Sequence, residues 1–386
     1  MQTINIVEKD KQIYNKHCSK YGNFQEYILS NKSNIIAIGD IHGDYRFALR
    51  LLLAAKVIEF DKKLTDINWI GKDTVVVQIG DQVDRCRPFK TTCDNPLATT
   101  NDEASDIAIL LLFNDLHKKA VKHGGAVISL LGNHELMNVM GNMNYVSYKG
   151  IMQFTKNGIP NYQVDDSYKS STIHPKEYEI GLAERKKLFS IGNKYAKLLA
   201  CTRLSYVIVD EFIFIHGGLV PKFIENINNN GNNFYETNYY VRQWLLGLIS
   251  DDKVKHIVHN NPDTIFWDRI LGSIPPNVEI KNNKFCEEYL KKVLNMFNLK
   301  GMIIGHTPQI FKHNKGINST CDEKLWRVDI GGSTAFSEFD QLNSDLRKPQ
   351  VLRIYKKNNK YKYKVLSYDF LLEKEIEQLN NNKIDK

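Results

Sequence analysis

A chain of 386 residues with 42% hydrophobic and 25% charged side chains has the make-up of a folded globular protein, which excludes a disordered or fibrous polypeptide. Its length admits one large α/β domain or two smaller ones. The formal net charge of +8 is spread along the chain and thickens only around Lys356 to Lys364. That stretch reads first as a solvated hairpin and second as a surface for an acidic substrate, and no nucleic-acid partner is expected.

Residues 1–33 are a polar, mixed lead-in with helical character. The opening MQTINIVEKDKQIYNKHC has no basic start followed by an apolar run, so no secretory leader is read there. No stretch of the chain approaches the roughly 18 consecutive apolar residues of a membrane span. The resulting expectation is a cytoplasmic protein without membrane contact.

The main body is expected over residues 34–370, with insertions near 86–101, 151–190 and 222–262 and a polar tail over 371–386. IIAIGD (Ile35 to Asp40) is a short apolar run ending in Gly-Asp, the pattern of a strand buried on both faces. YRFALRLLLAAKVI follows with helical length and no breaker. TVVVQIGD repeats the strand pattern, and EASDIAILLLFNDLHKKAVKHGG reads as a helix ended by Gly124. AVISLLGNHE is a third strand, completing consecutive βαβ units. Beyond the polar stretch 151–190, LSYVIVDEFIFIHGG predicts two strands joined by a tight Asp-Glu turn. Asn226 to Asn238 reads by composition as a flexible loop. GMIIGHTP and LWRVDIGGS are two further strand-to-loop transitions, followed by a Lys/Tyr-rich strand pair.

Open α/β sheets place their chemistry at the carboxyl ends of strands. The polar residues found there are Asp40 and His42; Asp81, Asp84 and Arg85; Asn133 and His134; His216; and His306. Singly, each has an ordinary explanation, such as a helix cap or a hydrogen-bonded core histidine. Five strand ends that all deliver carboxylate, imidazole or carboxamide beside glycine do not. These are oxygen and nitrogen donors without thiolate, which suits manganese, iron or zinc.

The segments GDIHGD (39–44), GDQVDR (80–85), GNHE (132–135), HGG (216–218) and GHTP (305–308) resemble, in order and spacing, the motifs of the phosphoprotein phosphatase family of calcineurin-like metallophosphoesterases. The resemblance runs over residues 35–335, and LLGNHELMNVMGNMNYV with FWDR at 266–269 is similar to the Shewanella-like branch. It implies an α/β sandwich of two mixed β-sheets flanked by helices, with a dimetal site at the strand ends. It further implies that Asp40, His42 and Asp81 hold one ion and that Asp81, Asn133, His216 and His306 hold the second. The ions expected are two divalent metals, manganese first, with iron or zinc as alternatives. Two cations roughly 3.5–4 Å apart need an anionic bridge, which Asp81 supplies.

By the same resemblance, a metal-bridging hydroxide attacks the phosphorus of a phosphoprotein, on Ser/Thr or Tyr. Arg85, Asn133 and Arg269 bind the phosphate, and His134, oriented by Asp84, protonates the leaving group. Hydrolysis of dinucleoside polyphosphates and an inactive phosphopeptide-binding scaffold are the alternatives. Met137, Met140 and Met143 read as a packed helix face rather than a substrate groove. Tyr145 is left without a role.

The chain departs from the family at Cys86, where glycine is usual, and in the insertion that runs to about Asn101. The six cysteines include no C-x-x-C pair, so free thiols are expected. A Cys86–Cys93 bridge is possible but unusual in a reducing cytosol. A free Cys86 beside a redox-active metal would make activity sensitive to oxidants.

Overall fold

The computed structural model describes residues 2–61, 66–155, 174–339 and 347–368. The strands, in chain order, are β1 (Ile28–Leu29), β2 (Asn34–Ile38), β3 (Ile58–Phe60), β4 (Ile67–Trp69), β5 (Val75–Gln78), β6 (Ala126–Leu130), β7 (Arg203–Leu204), β8 (Tyr206–Val209), β9 (Phe212–Ile215), β10 (Gly301–Ile304), β11 (Asn318–Thr320), β12 (Leu325–Arg327), β13 (Gln350–Lys357) and β14 (Lys360–Ser367). They form two mixed six-stranded sheets, ordered β14-β13-β2-β5-β6-β7 and β1-β8-β9-β10-β12-β11, and a small β3-β4 pair. Strands β2, β5, β6 and β7 run parallel, and β13 joins β2 antiparallel. This is the expected sandwich of mixed sheets with helices around it.

The central strands read as continuous apolar runs because both faces are covered: β5, β8, β9 and β10 are buried at every position. The β8–β9 turn falls at Asp210 and Glu211, with Asp210 at φ 54°. The β13–β14 hairpin turns on Asn358 and Asn359, at φ 52° and 59°, the left-handed pair that a two-residue hairpin needs.

The helices used below are α1 (Gln2–His17), α2 (Tyr45–Ala54), α3 (Asp106–Val121), α4 (Asn133–Val139), α5 (Tyr148–Met152), α6 (Pro175–Phe189), α7 (Lys194–Thr202), α8 (Pro221–Asn229) and α9 (Thr237–Leu246). Helix α1 is no loose leader. Tyr14 and Cys18 lie in the main core, and Asp10 pairs with Arg242 of α9 at 2.7 Å.

Three expectations are corrected. Most of the Asn-rich segment is ordered. Residues 226–229 complete α8, whose Phe223, Ile224 and Ile227 are buried, and residues 237–238 open α9. The helix after the first strand ends at Ala54, and Ile58, the last residue of the stretch expected to be helical, opens β3. All six cysteines are paired, as Cys18–Cys201, Cys86–Cys93 and Cys286–Cys321, with Cα separations of 5.2, 5.9 and 5.5 Å. Cys86 therefore has no free thiol, and the oxidant sensitivity expected of one does not apply. The polar tail and residues 156–173 of the expected 151–190 insertion lie outside the described residues. The described rest of that insertion holds the end of α5 and all of α6, which pack on each other, and the start of the short loop before α7.

Candidate metal centre

Asp40 follows β2, Asp81 follows β5, Asn133 opens α4 after β6, His216 follows β9 and His306 follows β10. All five strand ends converge on one site. The turns that aim these side chains are sharp. His42, Asp81, Asp84 and His306 have φ of 49°, 51°, 74° and 63°, the left-handed region that non-glycine residues seldom occupy. Glycine is required where the turns touch. A Cβ on Gly132 would collide with the Asp81 carboxylate, and one on Gly305 would collide with the Asp40 carboxylate.

Asp81 is the hub. It groups with His42 and His134 on one side and with His216 and His306 on the other, the ligand atoms of each trio lying within 4.8 Å of one another. Its Oδ2 is 3.3 Å from His216 Nε2 and 3.9 Å from both His42 Nε2 and His134 Nε2. Asp40 Oδ2 is 3.9 Å from His42 Nε2, and Asn133 Oδ1 is 3.0 Å from His216 Nε2. The structure thus brings together Asp40, His42, Asp81, Asn133, His216 and His306.

The donor set fits divalent cations. Asp40, Asp81 and Asp329 crowd one buried site, and burial together with the charges of Asp329 and Asp81 pushes the Asp40 carboxyl well above its ordinary range. Burial alone would raise Asp81 too, but His216 and His134 outweigh it and hold that carboxyl well below. Burial, followed by the Arg87 charge, pushes His42 well down. His306 is pushed well down by burial and by its neighbour His216. Metal ligation needs neutral imidazoles and ionised carboxylates. His42, His306 and Asp81 are shifted toward those states, whereas Asp40 is shifted toward its protonated form and His216, against the effect of burial, is held up by Asp81, two shifts that a bound cation would reverse. His306 Nε2 and Asp329 Oδ2 are buried with no hydrogen-bond partner among the described residues, as expected of atoms arranged for a cation.

His134 Nδ1 is 2.8 Å from Asp84 Oδ2. The other Asp84 oxygen accepts from Asn138 Nδ2 at 2.8 Å. Behind them, the fully buried Arg185 of α6 donates to Asn138 Oδ1 at 3.0 Å and to Asp106 Oδ2 at 2.7 Å. A separate clamp fixes the Asp81 turn: Glu135 accepts from the amides of Asp81, Gln82, Val83 and Gly132 at 2.7–3.3 Å.

Above the metal site opens a cleft of about 610 Å³, whose lining includes His42, Asp81, Arg87, Asn133, His134, Tyr145, Trp267, Arg269, His306 and Phe336. Arg269 lies in it, donating to the His306 carbonyl at 2.7 Å. Arg85 does not. Its Nη1 donates to Gly43 O at 3.0 Å and to Glu103 at 2.7 Å, and its Nη2 donates to Asn101 O at 3.0 Å. Asp44 is 3.4 Å away. Arg85, expected to bind phosphate, therefore does not line the cleft, and its charge is paired with Glu103 and Asp44. The methionine series divides, with Met137 and Met140 on the cleft wall and Met143 in the core.

Sequence reasoning missed Arg87, Asp329, Glu135, Arg185 and Phe336. Asp329 and Glu135 had a signal, since the first stands after the LWRV strand and the second closes GNHE. The others had none, because their roles depend on contacts from distant segments.

A family model for the calcineurin-like phosphoesterases matches residues 33–309. The chain is 37% identical over 245 residues to an uncharacterised protein, R398, of Acanthamoeba polyphaga mimivirus, covering 60% of this chain and 91% of that one. It is 25% identical to Shewanella-like protein phosphatase 2 of Arabidopsis thaliana, covering 86% of this chain and 80% of that one. With Shewanella-like protein phosphatase 1 of Plasmodium berghei the identity is 27%, over 87% of this chain and 76% of that one. The fold is similar to that of a cold-active protein-tyrosine phosphatase of a psychrophilic Shewanella species, with a TM-score of 0.57 and 18% identity over 91% of this chain and 86% of that one. With the family model spanning most of the chain, the protein belongs to the calcineurin-like phosphoesterases and has Shewanella-like protein phosphatases among its relatives.

Proposed function

We propose that the chain hydrolyses phosphomonoesters on proteins, using two divalent ions, manganese foremost. The observation that carries this reading is Asp81, whose carboxylate stands beside His42, itself next to Asp40, and also groups with His216 and His306, at the base of an open cleft. Asp40, His42 and Asp81 would hold one ion, and Asp81, Asn133, His216 and His306 the other. When bound, such ions lower the pKa of a water molecule and neutralise charge on the phosphoryl oxygens.

The protein's own groups complete the work. Asp84, at His134 Nδ1, fixes the imidazole so that Nε2 faces the cleft, where it can give a proton to the leaving oxygen. Asn138 and Arg185 hold Asp84 in place from behind. Asn133 and Arg269 offer donors to the phosphate. The breadth of the cleft, with Met137, Met140 and Asn142 along one wall, and the Shewanella-like phosphatases among the relatives support a protein substrate. Three disulfides favour an oxidising compartment over the cytoplasm expected from the N-terminal sequence.

The test is an assay of the manganese-reconstituted chain on matched phosphoserine, phosphothreonine and phosphotyrosine peptides beside diadenosine tetraphosphate. Release of phosphate from at least one peptide in preference to the dinucleotide is expected. Preference for the dinucleotide, or binding of peptide without release, would replace this reading with one of the two alternatives.

A further inference from the structure

We propose that Arg87, not Arg85, is the phosphate-binding arginine of the 80–87 segment, and that the Cys86–Cys93 disulfide positions it. The assignment rests on the phosphoester reading of the same site and adds a residue to it.

The two arginines are separated by one residue and have opposite surroundings. Arg85 is buried against Asp44 and Glu103 and already donates to two carbonyls, so a phosphate would have to displace a paired carboxylate. Among the described residues, the hydrogen-bonding and ring contacts of Arg87 are with neutral groups. Its Nη1 donates to the carbonyls of Asp84 and Cys86 at 3.1 and 2.8 Å, and its guanidinium carbon stands 4.6 Å from the Phe336 ring centre and 5.6 Å from that of Tyr145. Those rings abut the metal site, Phe336 at 5.4 Å from His42 and Tyr145 at 5.1 Å from His134. Stacking between two rings holds a guanidinium without neutralising it, leaving its charge and remaining N–H donors for a dianionic ligand in the cleft.

The backbone beside Arg87 is fixed as well. The Cys86 amide donates to the Tyr145 carbonyl at 2.9 Å, Cys86 and Cys93 are buried together, and their bridge closes a ring of sequence separation 7. With the ring closed, the segment bearing Arg87 is tied at both ends. This accounts for cysteine in place of the usual glycine at position 86: the bridge tethers a second arginine after the first has been drawn inward.

The experiment measures affinity for inorganic phosphate, by calorimetry and as competitive inhibition of p-nitrophenyl phosphate hydrolysis, on the metal-loaded full chain. Arg87→Ala should raise both the Kd and the Ki roughly 10- to 100-fold, the effect of losing a charge-assisted hydrogen bond, with partial recovery in Arg87→Lys. Arg85→Lys should stay within about twofold in Ki while lowering the Tm. The Cys86→Ser/Cys93→Ser pair, with Arg87 retained, should raise the KM and Ki severalfold at little change in kcat, which mere loosening of the fold would not produce. Unchanged phosphate affinity in Arg87→Ala, or a larger loss in Arg85→Lys, overturns the assignment. Unchanged KM and Ki in the double variant overturn the positioning by the bridge. A wild-type chain that hydrolyses no ester and binds no phosphate overturns the phosphoester reading and this inference together, whereas wild-type binding that survives Arg87→Ala overturns only the latter.

Discussion

At the base of the cleft, Asp40, Asp81, His216 and His306 leave strands that are hydrogen-bonded to neighbours on both sides. At its rim, Arg87, Tyr145 and Phe336 stand on segments outside the strands, held by ring contacts and a disulfide. The base is located by backbone, so exchanging a side chain there removes a charge and leaves the frame in place. The rim is located by side chains, so exchanging one shifts its neighbours. Substitutions at the base should therefore separate chemistry from stability, and those in the surrounding ion-pair network should mix the two.

The largest effect is expected at the hub. Asp81→Asn keeps the shape but removes the negative charge of the bridge, and kcat/KM on p-nitrophenyl phosphate should fall on the order of 1,000-fold with loss of bound metal and little change in the Tm of the metal-free chain. Kinetics beside elemental analysis checks this; a variant that keeps both ions and most of its turnover would break the distinction between base and rim. Next comes Arg185→Met, behind the His134–Asp84 pair. It strands Asp106 and frees Asn138, so a loss of about 3–5 kcal/mol in chemical denaturation is expected together with a lower kcat. The smallest effect is at Asp44, which caps α2 through the Phe47 amide and accepts from Thr334. Burial would raise its pKa, but Arg85 and those hydrogen bonds outweigh burial and hold it below the ordinary 3.8. Because the folded-state pKa is the lower one, the stabilisation is fully present above pH 3.8 and is lost as the pH falls through the folded-state value. Wild type should exceed Asp44→Asn by about 1–2 kcal/mol at pH 7, with the gap closing in acid, as read from urea unfolding at several pH values.

The same contrast explains what could be read in the sequence. The base was legible because buried strands appear as apolar runs, and a polar residue just past such a run has few places to go. Asp40, Asp81, Asn133, His216 and His306 were all found that way. Arg85 and Arg87 were not separable, since two arginines flanking a cysteine give no sign of which turns inward. Glu103 and Asp44, brought from other segments, decide it. Two of the disulfides were equally hidden, whereas the short spacing of Cys86 and Cys93 had already suggested the third. Cys18 and Cys201 are 183 residues apart, and only docking of α1 on the body makes them neighbours. In the Asn-rich segment, composition suggested a loop while Phe223, Ile224 and Ile227 were already spaced to bury one face of a helix.

His42, Asp81, Asp84 and His306 all occupy left-handed backbone, a conformation that costs on the order of 1–3 kcal/mol for each residue with a side chain. Glycine would relieve that strain at every one of these positions, and at every one it would delete a functional group. Selection for thermal stability alone would therefore drive this chain toward an inert, better-folded version of itself. Any programme of directed evolution on this scaffold needs a turnover screen running beside the heat challenge, or the first gains it records will come from dismantling the centre.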